Sequence, residues 1–378
     1  MIRLTILLVV IFCSPVLAAP QLSKAEAAEE IKTVTARLAA AREAEMQWEI
    51  VNESPRTEQG TVTAGNQEMK CVSIQYGDAA AGDRSLFISM HGGGGTQARV
   101  NDQQWRNQIQ LYKPEEGFYV APRAPTNAWN LWHQKHIDLL FSRLIENFVA
   151  TRGVNPKKVY LLGYSAGGDG VYQLAPRMAD WFAAASMMAG HPNNATADGL
   201  FNLPFRIYVG GRDSAYKRNQ VAEQWGDRLK ALQQEHGGFE HKVTIYPELG
   251  HWMNRRDAEA IPWMATKERD SWPAHIIWGT SSNRAPRFYW LEGQQSGVVS
   301  AKVDGRVISI QCDESQPLTL HLKDKLLNLD QPFSVVVNEV EAWQGKVQRT
   351  KTAIEDSLSK RLDPDMAATA ILVLFPKK

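Results

Sequence analysis

The middle of the chain alternates short apolar runs with longer stretches of helical periodicity. The runs predict strands at Cys71–Gln75, Ser85–Met90, Phe118–Ala121, Val159–Leu162, Ala184–Met188, Phe205–Val209 and Lys242–Tyr246. The helical stretches lie at about 136–152, 166–179 and 217–235. Strands that alternate with helices form parallel crossovers, and solidly apolar strands indicate that helices cover both faces of the sheet. We therefore predict the α/β class, with a doubly wound, mostly parallel sheet.

The pattern changes near residue 273, where short segments begin to alternate apolar and polar positions. Strands are expected at His275–Trp278, Arg287–Trp290, Val298–Val303, Val307–Gln311, Leu318–Leu322, Phe333–Val337, Gly345–Gln348 and Ala370–Phe375. Asp304-Gly305 is typical of a hairpin turn, and only residues 351–362 have a helical pattern. This arrangement predicts a smaller, β-sandwich-like domain at residues 273–378.

Residues 22–48 carry Ala, Glu, Lys and Arg at helical spacing. An apolar stripe along this stretch consists of Ile31, Val34, Leu38 and Ala41. We expect a helix that packs on the outer surface of the larger domain. That domain is assigned to residues 19–268.

The first residues have the composition of a secretory signal. Arg3 is the lone charge, Leu4–Phe12 is apolar, and Val16–Ala18 or Leu17–Ala19 supplies the small residues for cleavage. Pro15 interrupts the apolar run well before the roughly 20 residues that a membrane span needs. We expect residues 1–18 to be a cleaved signal peptide and the protein to be secreted or periplasmic, with no stable membrane insertion after cleavage.

Cleavage would remove Cys13 and leave Cys71 and Cys312. Two cysteines in an oxidising compartment could form one bridge. They lie in different predicted domains, however, so two free buried thiols are favoured. The alternative stays open at this point.

Composition limits the partners of the protein. Hydrophobic residues make up 44% of the chain and charged residues 22%, which is ordinary for a globular protein. The 42 basic and 41 acidic side chains become 41 of each once Arg3 is removed. A net charge of zero argues against nucleic acid as a partner.

The pentapeptide Gly163-Tyr164-Ser165-Ala166-Gly167 follows a predicted strand and precedes a predicted helix. A serine on such a tight strand-to-helix turn is lifted above the sheet, where it can act as a nucleophile. Glycines on both sides let the strand and the helix approach each other. The motif indicates Ser165 as a catalytic nucleophile.

An acid and a base should follow the serine along the chain. Asp213 lies on the turn after the strand Phe205–Val209, and His251 lies in the loop after the last predicted strand. His251 would accept the Ser165 proton and Asp213 would orient the imidazole. Asp198 and Asp180 are rivals for the acid, but neither follows a strand where this acid belongs.

Residues 91–95, with the sequence His-Gly-Gly-Gly-Gly, come directly after the strand Ser85–Met90. Glycines allow backbone amides to approach an oxyanion. We expect one donor from Ala166 and the other from Gly93 or Gly94, with His91 anchoring the loop. A phosphate cradle would need the Gly-Lys-Ser/Thr ending that this loop lacks.

These motifs together resemble the secreted esterase branch of the α/β-hydrolases, which includes feruloyl esterases, acetyl-xylan esterases and poly(3-hydroxybutyrate)-depolymerase-like proteins. The resemblance covers about residues 65–267 and implies a serine carboxylic-ester hydrolase that works through an acyl-enzyme, with no cofactor. The partner would be an ester substrate, carbohydrate- or polymer-linked in some members. The alternatives are a serine peptidase of the prolyl-oligopeptidase-like kind and a catalytically silent binding protein.

Aromatic residues near these motifs are candidates for binding substrate: Tyr164, Trp129, Trp132 and Trp252. Core packing is the competing interpretation for Trp129 and Trp132. His133 and His136 form an H-x-x-H pair, but no carboxylate or cysteine accompanies them, so no metal site is expected. His191 is left without a role.

Overall fold

The computed structural model describes residues 21–46, 48–279, 286–293, 296–312 and 316–375. The proposed signal peptide and Cys13 lie outside these residues. The larger sheet consists of β1 (Trp48–Glu53), β2 (Arg56–Ala64), β3 (Gln67–Tyr76), β4 (Arg84–Met90), β5 (Gly117–Pro122), β6 (Val154–Tyr164), β7 (Ala184–Met188), β8 (Phe205–Gly210) and β9 (His241–Tyr246).

The strand order of this sheet is β1-β2-β3-β5-β4-β6-β7-β8-β9. The pairs from β5 to β9 are parallel, whereas β1, β2 and β3 pair in antiparallel fashion and β3 is antiparallel to β5. Parallel neighbours require crossover connections, which helices supply here. The predicted mostly parallel sheet is confirmed.

Helices cover both faces of the sheet, as the solidly apolar strands predict. The helices are α1 (Lys24–Glu45), α2 (Ala98–Ile109), α3 (Lys135–Arg152), α4 (Ala166–Arg177), α5 (Arg218–His236) and α6 (Ala260–Ala265). One core contains the buried sides of α3, α4 and α5, and the other lies beneath α2 and α6. The fold is therefore the doubly wound α/β-hydrolase fold.

The C-terminal residues form two further sheets, which confirms the smaller β-rich domain. Their elements are β10 (His275–Gly279), β11 (Arg287–Phe288), β12 (Leu291–Gly293), β13 (Val298–Asp304), β14 (Val307–Gln311), β15 (Leu318–Leu322), β16 (Phe333–Val337), β17 (Val340–Gly345), α7 (Lys351–Lys360) and β18 (Ala370–Leu374). One sheet has the order β10-β13-β14-β16-β17 and the other β11-β12-β15-β18. Trp278 of the first stacks on Phe288 of the second, with ring centroids 5.9 Å apart.

The two domains share a continuous hydrophobic core. A buried ion pair also joins them, between Arg361 and the carboxylate of Asp180, which follows α4. The Asp180 backbone carbonyl accepts further hydrogen bonds from Arg361 and Arg269. Helix α1 packs against α3 and also against α7, so it joins the two domains instead of only covering the larger one. The predicted packing of α1 on the outer surface of the larger domain holds, and the contact with α7 is an addition to it.

Several local predictions differ from the structure. The hairpin β1–β2 and the helix α2 were not predicted, and the strand expected at Gly345–Gln348 instead spans Val340–Gly345. Asp304 pairs with Val307, so the hairpin turn is Gly305-Arg306 instead of Asp304-Gly305. Cys71 is buried, but Cys312 is half-buried, and the two are not bridged to each other.

Candidate active site

Ser165 occupies the sharp turn between β6 and α4. Its backbone has φ 58° and ψ −122°, a conformation that L-residues rarely adopt and that costs on the order of 1–3 kcal/mol. A Cβ on Gly163 would lie 2.3 Å from the Gly167 carbonyl oxygen, and a Cβ on Gly167 would lie 2.1 Å from that of Met90. The flanking glycines therefore allow the close approach that holds Ser165 in this conformation.

Ser165, His251 and Asp213 form a continuous hydrogen-bonded chain. His251 Nε2 lies 3.0 Å from Ser165 Oγ, and His251 Nδ1 lies 2.7 Å from Asp213 Oδ2. The Asp213 side chain is 1% exposed and that of His251 is 43% exposed. The acid is thus shielded from water while the imidazole faces the cleft.

The rival acids lie elsewhere. Asp198 forms an ion pair with Arg228, with 3.6 Å between Oδ1 and Nη2. Asp180 is buried against Arg361 at the junction between the domains. Asp213 is the carboxylate that contacts His251.

Hydrogen bonds fix the loop that carries His251. Tyr164 Oη donates to the His251 carbonyl at 2.6 Å and accepts from the Met253 amide at 3.1 Å. Arg255 Nη2 donates to the Leu111 carbonyl at 2.8 Å. Tyr164, the neighbour of Ser165, therefore positions the histidine loop with its hydroxyl.

A buried hydrogen bond between a tyrosine and an aspartate joins the same loop to the segment that follows α2. Tyr112 donates a hydrogen bond to Asp257, and both side chains are buried. Burial raises the pKa of Asp257, while the hydrogen bond from Tyr112 opposes that shift. Together with Arg255, this contact makes α2 and the histidine loop a single wall of the cleft.

The glycine loop after β4 contains a candidate for the second oxyanion donor near Ser165. The Gly94 amide donates to Asn101 Oδ1 at 2.8 Å, so it is occupied. In the described part of the chain, the amides of Gly93 and Ala166 donate to no other residue. Gly93, with φ 102°, is thus favoured over Gly94 as the second oxyanion donor.

Asn101 at the start of α2 holds this loop, and no motif in the sequence indicates it. Its Nδ2 donates to Asn127 Oδ1 at 2.9 Å, and Asn127 also accepts from Arg123 at 2.6 Å. A Cβ on Gly93 would lie 2.3 Å from Asn101 Oδ1. A residue with a side chain at position 93 would therefore collide with the buried amide of Asn101.

His91 anchors the loop as the sequence suggests. Its Nδ1 lies 2.6 Å from the Gly92 carbonyl, which makes Nδ1 the donor, and its Nε2 accepts from the Ala124 amide at 3.1 Å. Burial lowers the pKa of His91 to about 4. The ring is neutral near pH 7, and this neutral tautomer satisfies both hydrogen bonds.

Two cavities meet at Ser165. The first, which we call the α2 cavity, has a volume of about 540 Å³. Its walls include Val100, Gln104, Asn107, Leu111, Tyr164, His251 and Trp252. The second, the α5 cavity, has a volume of about 380 Å³ and is lined by Gly93, Gly94, Trp129, Ala166, Asp169, His191, Asn193, Tyr216 and Arg218.

The structure separates the candidate aromatic residues. Trp132 is fully buried, where its indole donates to the His91 carbonyl, so its predicted role in binding substrate is corrected to packing under the glycine loop. Trp129 is 64% exposed on the α5 cavity, and Trp252 is 50% exposed on the α2 cavity. Tyr216 is 77% exposed beside Trp129 and was missed, because a tyrosine outside any motif carries no signal.

The loop with His191 also borders the α5 cavity. Asp169 of α4 accepts from the His191 amide at 2.7 Å, and the Asn193 amide donates to His191 Nδ1 at 2.9 Å. Burial raises the pKa of Asp169, and the hydrogen bond from the His191 amide opposes that shift. His191 thus lines the cleft, although no motif in the sequence indicates a role for it.

Among the described residues, no group of three metal-ligating side chains is found. His133 packs edge-on against Trp129 with ring centroids 5.5 Å apart. Burial lowers the pKa of His136. In the same described residues, no helix has the length and apolarity to cross a membrane.

Comparisons with known proteins identify similar hydrolases. The Dienelactone hydrolase family matches residues 110–279, a segment that contains Ser165, Asp213 and His251. Feruloyl esterase B of Thermothelomyces thermophilus is 25% identical over 176 residues, which cover 43% of this chain and 58% of the relative. The chain thus spans just over half the length of this curated relative.

Solved structures with a similar fold include esterases and a peptidase. A thermostable esterase aligns with a TM-score of 0.42 and 18% identity, over 56% of this chain and 62% of that chain. Acetyl xylan esterase from Paenibacillus sp. R4 aligns with a TM-score of 0.42 and 10% identity, over 61% and 93%. Porphyromonas gingivalis dipeptidyl peptidase 4 aligns with a TM-score of 0.42 and 10% identity, over 56% and 36%.

The fold assignment rests on the strand order and on the turn at Ser165. The family match covers residues 110–279, which include that turn. The chain has the α/β-hydrolase fold and resembles a feruloyl esterase in sequence.

Proposed function

We propose that the protein is a serine carboxylic-ester hydrolase that works through an acyl-enzyme. The observation that carries this proposal is the position of His251, whose two ring nitrogens lie 3.0 Å from Ser165 Oγ and 2.7 Å from Asp213 Oδ2. A nucleophile, a base and an orienting acid in that order are what acyl transfer requires. The match to an esterase relative supports ester bonds as the substrate.

In this mechanism, Ser165 Oγ attacks the ester carbonyl carbon while His251 Nε2 takes its proton. The carbonyl oxygen becomes an oxyanion between the amides of Gly93 and Ala166. The imidazolium then protonates the leaving alcohol oxygen as the C–O bond breaks. Water repeats the sequence on the acyl-enzyme, which releases the acid and restores Ser165.

The same chemistry indicates which part of the substrate each cavity binds. His251 must protonate the leaving oxygen, so the alcohol lies in the α2 cavity, which His251 lines. The acyl group then extends into the α5 cavity, where the amide of Ala166 lies. Gln104 and Asn107 would face the alcohol, while Asp169 and His191 would face the acyl group.

Exposed rings around the opening favour an ester attached to a ring-bearing or polymeric substrate. Trp129 and Tyr216 stand at the α5 cavity and Trp252 at the α2 cavity, all at least half exposed. Planar faces of this kind stack on sugars and aromatic groups. We therefore propose a carbohydrate- or polymer-linked ester, and an aromatic acyl group would match the name of the feruloyl esterase relative.

Ser165→Ala tests the proposal. An alanine side chain keeps the turn and removes the nucleophile, and loss of such a nucleophile typically removes about 10⁶ in kcat. Turnover of p-nitrophenyl esters from acetate to palmitate and of methyl ferulate should disappear, together with labelling by a fluorophosphonate. Retained activity or labelling in Ser165→Ala would contradict the assignment, and cleavage of an aminoacyl-p-nitroanilide in preference to the esters would indicate a peptidase.

We also propose that residues 1–18 direct export, on the basis of their composition alone. The measurement is the mass of the protein recovered from a bacterial periplasm or culture medium. A product that starts at or near residue 19 is expected. Full-length protein retained inside the cells would contradict this proposal without affecting the catalytic one.

A further inference from the structure

Arg218 lies against the carboxylate of Asp213. Its Nη1 is 3.5 Å from Asp213 Oδ1, the oxygen that does not contact His251. The side chains of Arg218 and Asp213 are 11% and 1% exposed. Among the described residues, the Asp213 carboxylate is contacted by His251 on one oxygen and by Arg218 on the other.

The backbone before Arg218 is strained. Tyr216 and Lys217 have φ 54° and 56°, in the left-handed region, which costs roughly 1–2 kcal/mol for each such residue. Strain of this kind persists only where the surroundings enforce it, and it is concentrated at functional sites. Here it places Arg218 as the first residue of α5, directly beside Asp213.

The position of Arg218 in its helix is also electrostatically unfavourable. A helix N-terminus carries partial positive charge, which favours acidic residues and disfavours an arginine. The carboxylates of Asp213 and Asp169 compensate, since both interact with the Arg218 charge. A positive charge that is unfavourable at the start of its helix, but is attracted to the proposed triad acid, indicates that Arg218 has a role at the site.

The guanidinium is shielded from water on its outer side. The Tyr216 ring lies over it at 4.9 Å from its central carbon. Arg218 Nε is buried and has no hydrogen-bond partner within the described residues. Because water is excluded, the attraction between Arg218 and Asp213 is stronger than for a surface ion pair.

From these observations we propose that Arg218 is a positioning residue for the Asp213–His251 pair. It holds the Asp213 carboxylate in the orientation that presents Oδ2 to His251, and it offsets part of the negative charge that stabilises the imidazolium. This proposal rests on the proposed triad. It assigns to α5 a catalytic support that the motifs of the sequence do not contain.

Arg218→Gln should have two effects. Without its second partner, the carboxylate still contacts His251 but is held less firmly in the productive orientation, so kcat falls by about 10- to 100-fold, the range found when a partner that orients a metal ligand is removed. Without the positive charge, the imidazolium is better stabilised. The acidic limb of the kcat/KM profile therefore moves to higher pH.

Other titratable groups facing the pair stay in place in this variant. They are the Tyr164 hydroxyl, which donates to the His251 carbonyl, Asp169 on α4, and Asp257 and Arg255 on the histidine loop. A displaced pH profile would thus report the loss of the Arg218 charge, which acts on Asp213 and also on Asp169.

Arg228→Gln is the matched control. Arg228 lies ten residues after Arg218 on the same helix and pairs with Asp198 at 3.6 Å, but its side chain is 58% exposed. The two variants and Arg218→Lys are compared for kcat, KM, the pH profile on one p-nitrophenyl ester, and the rate of fluorophosphonate labelling. Circular dichroism and a thermal melt establish that each is folded.

Support consists of a lower kcat with KM within about threefold of wild type, the shifted acidic limb, slower labelling, and partial recovery in Arg218→Lys. The proposal is overturned if Arg218→Gln matches Arg228→Gln, or if the loss lies in KM alone. If Arg218→Gln does not fold, Arg218→Met, which keeps the apolar stem under Tyr216, replaces it. Activity in Ser165→Ala would instead overturn the proposed function itself.

Discussion

At the scale of single residues, the exposure of the two proposed triad partners predicts what each substitution does. Asp213 is buried and contacts His251 Nδ1, so Asp213→Asn should leave binding intact but favour the wrong imidazole tautomer. We expect kcat to fall by about 10⁴ with KM nearly unchanged. Steady-state kinetics on one ester checks this, with Asp198→Asn as the control that should retain activity; a reversed order would relocate the acid.

The sequence predicts the residues whose role is tied to a local motif. Ser165 and its glycines are set by a turn that only a few residue types can form, and Asp213 and His251 follow strands in an order that the fold requires. Asn101 and Arg218 act through contacts made only after folding, so no spacing in the chain indicates them. Trp132 was misassigned for the same reason, since proximity in sequence to Trp129 does not determine exposure.

At the scale of elements, the turn between β6 and α4 is limited by space around its glycines. Gly167→Ala would place a Cβ 2.1 Å from the Met90 carbonyl oxygen, and backbone on both sides prevents relaxation. We expect a loss of several kcal/mol in the free energy of unfolding, or failure to fold. Gly250→Ala, next to His251, meets nothing within 4 Å and should be close to neutral in a urea melt.

Equal stability of the two glycine variants would show that the turn between β6 and α4 can shift. It would also weaken the argument that the strained serine is enforced by its surroundings.

The elements that the sequence missed lack an apolar period. Strand β1 has mostly exposed side chains, and α2 buries only polar residues, Asn101 and Gln108. Hydrophobic periodicity detects elements through the face they bury. Solidly apolar strands such as β4 and β7 were located closely, whereas β1 and α2 are defined by pairing and by polar contacts around the site.

At the scale of the whole molecule, two buried histidines link stability to pH. His91 in the glycine loop and His321 in the smaller domain both have a pKa lowered to about 4, chiefly by burial, and His321 remains so despite its contact with Glu292. In the unfolded chain, histidine binds protons from about pH 6.5. The unfolded state therefore takes up protons first as the pH falls.

Stability should consequently be constant above about pH 6.5 with respect to these two groups and decline between pH 6.5 and 4. Each histidine contributes at most roughly 3 kcal/mol. Urea unfolding at several pH values measures the slope, and His321→Gln should reduce it. A slope unchanged by that substitution would mean that His321 is protonated without cost in the folded protein.

The junction between the domains decides whether the smaller domain can be separated. None of its described residues lines the α2 or the α5 cavity, so a direct contribution to the site is not expected. The smaller domain instead contacts the segment that follows α4. There Arg361 pairs with buried Asp180, and the Arg361 Cζ atom lies 3.7 Å from the centroid of the Trp181 ring. Its apolar strands continue the core of the larger domain.

Arg361→Met should therefore destabilise the entire protein. Removal of one partner of a buried pair leaves the Asp180 charge uncompensated and typically costs about 3–5 kcal/mol. Arg37→Met is the matched control, because Arg37 also joins the domains through Glu355 but both side chains are about half exposed. The loss of unfolding free energy in Arg37→Met should be at most about 1 kcal/mol.

The melting temperature should drop by several degrees for Arg361→Met, and the protein should unfold in a single transition. A fragment ending at residue 268 should be insoluble. A soluble fragment that melts like the full chain and hydrolyses small esters would show instead that the smaller domain is an independent module.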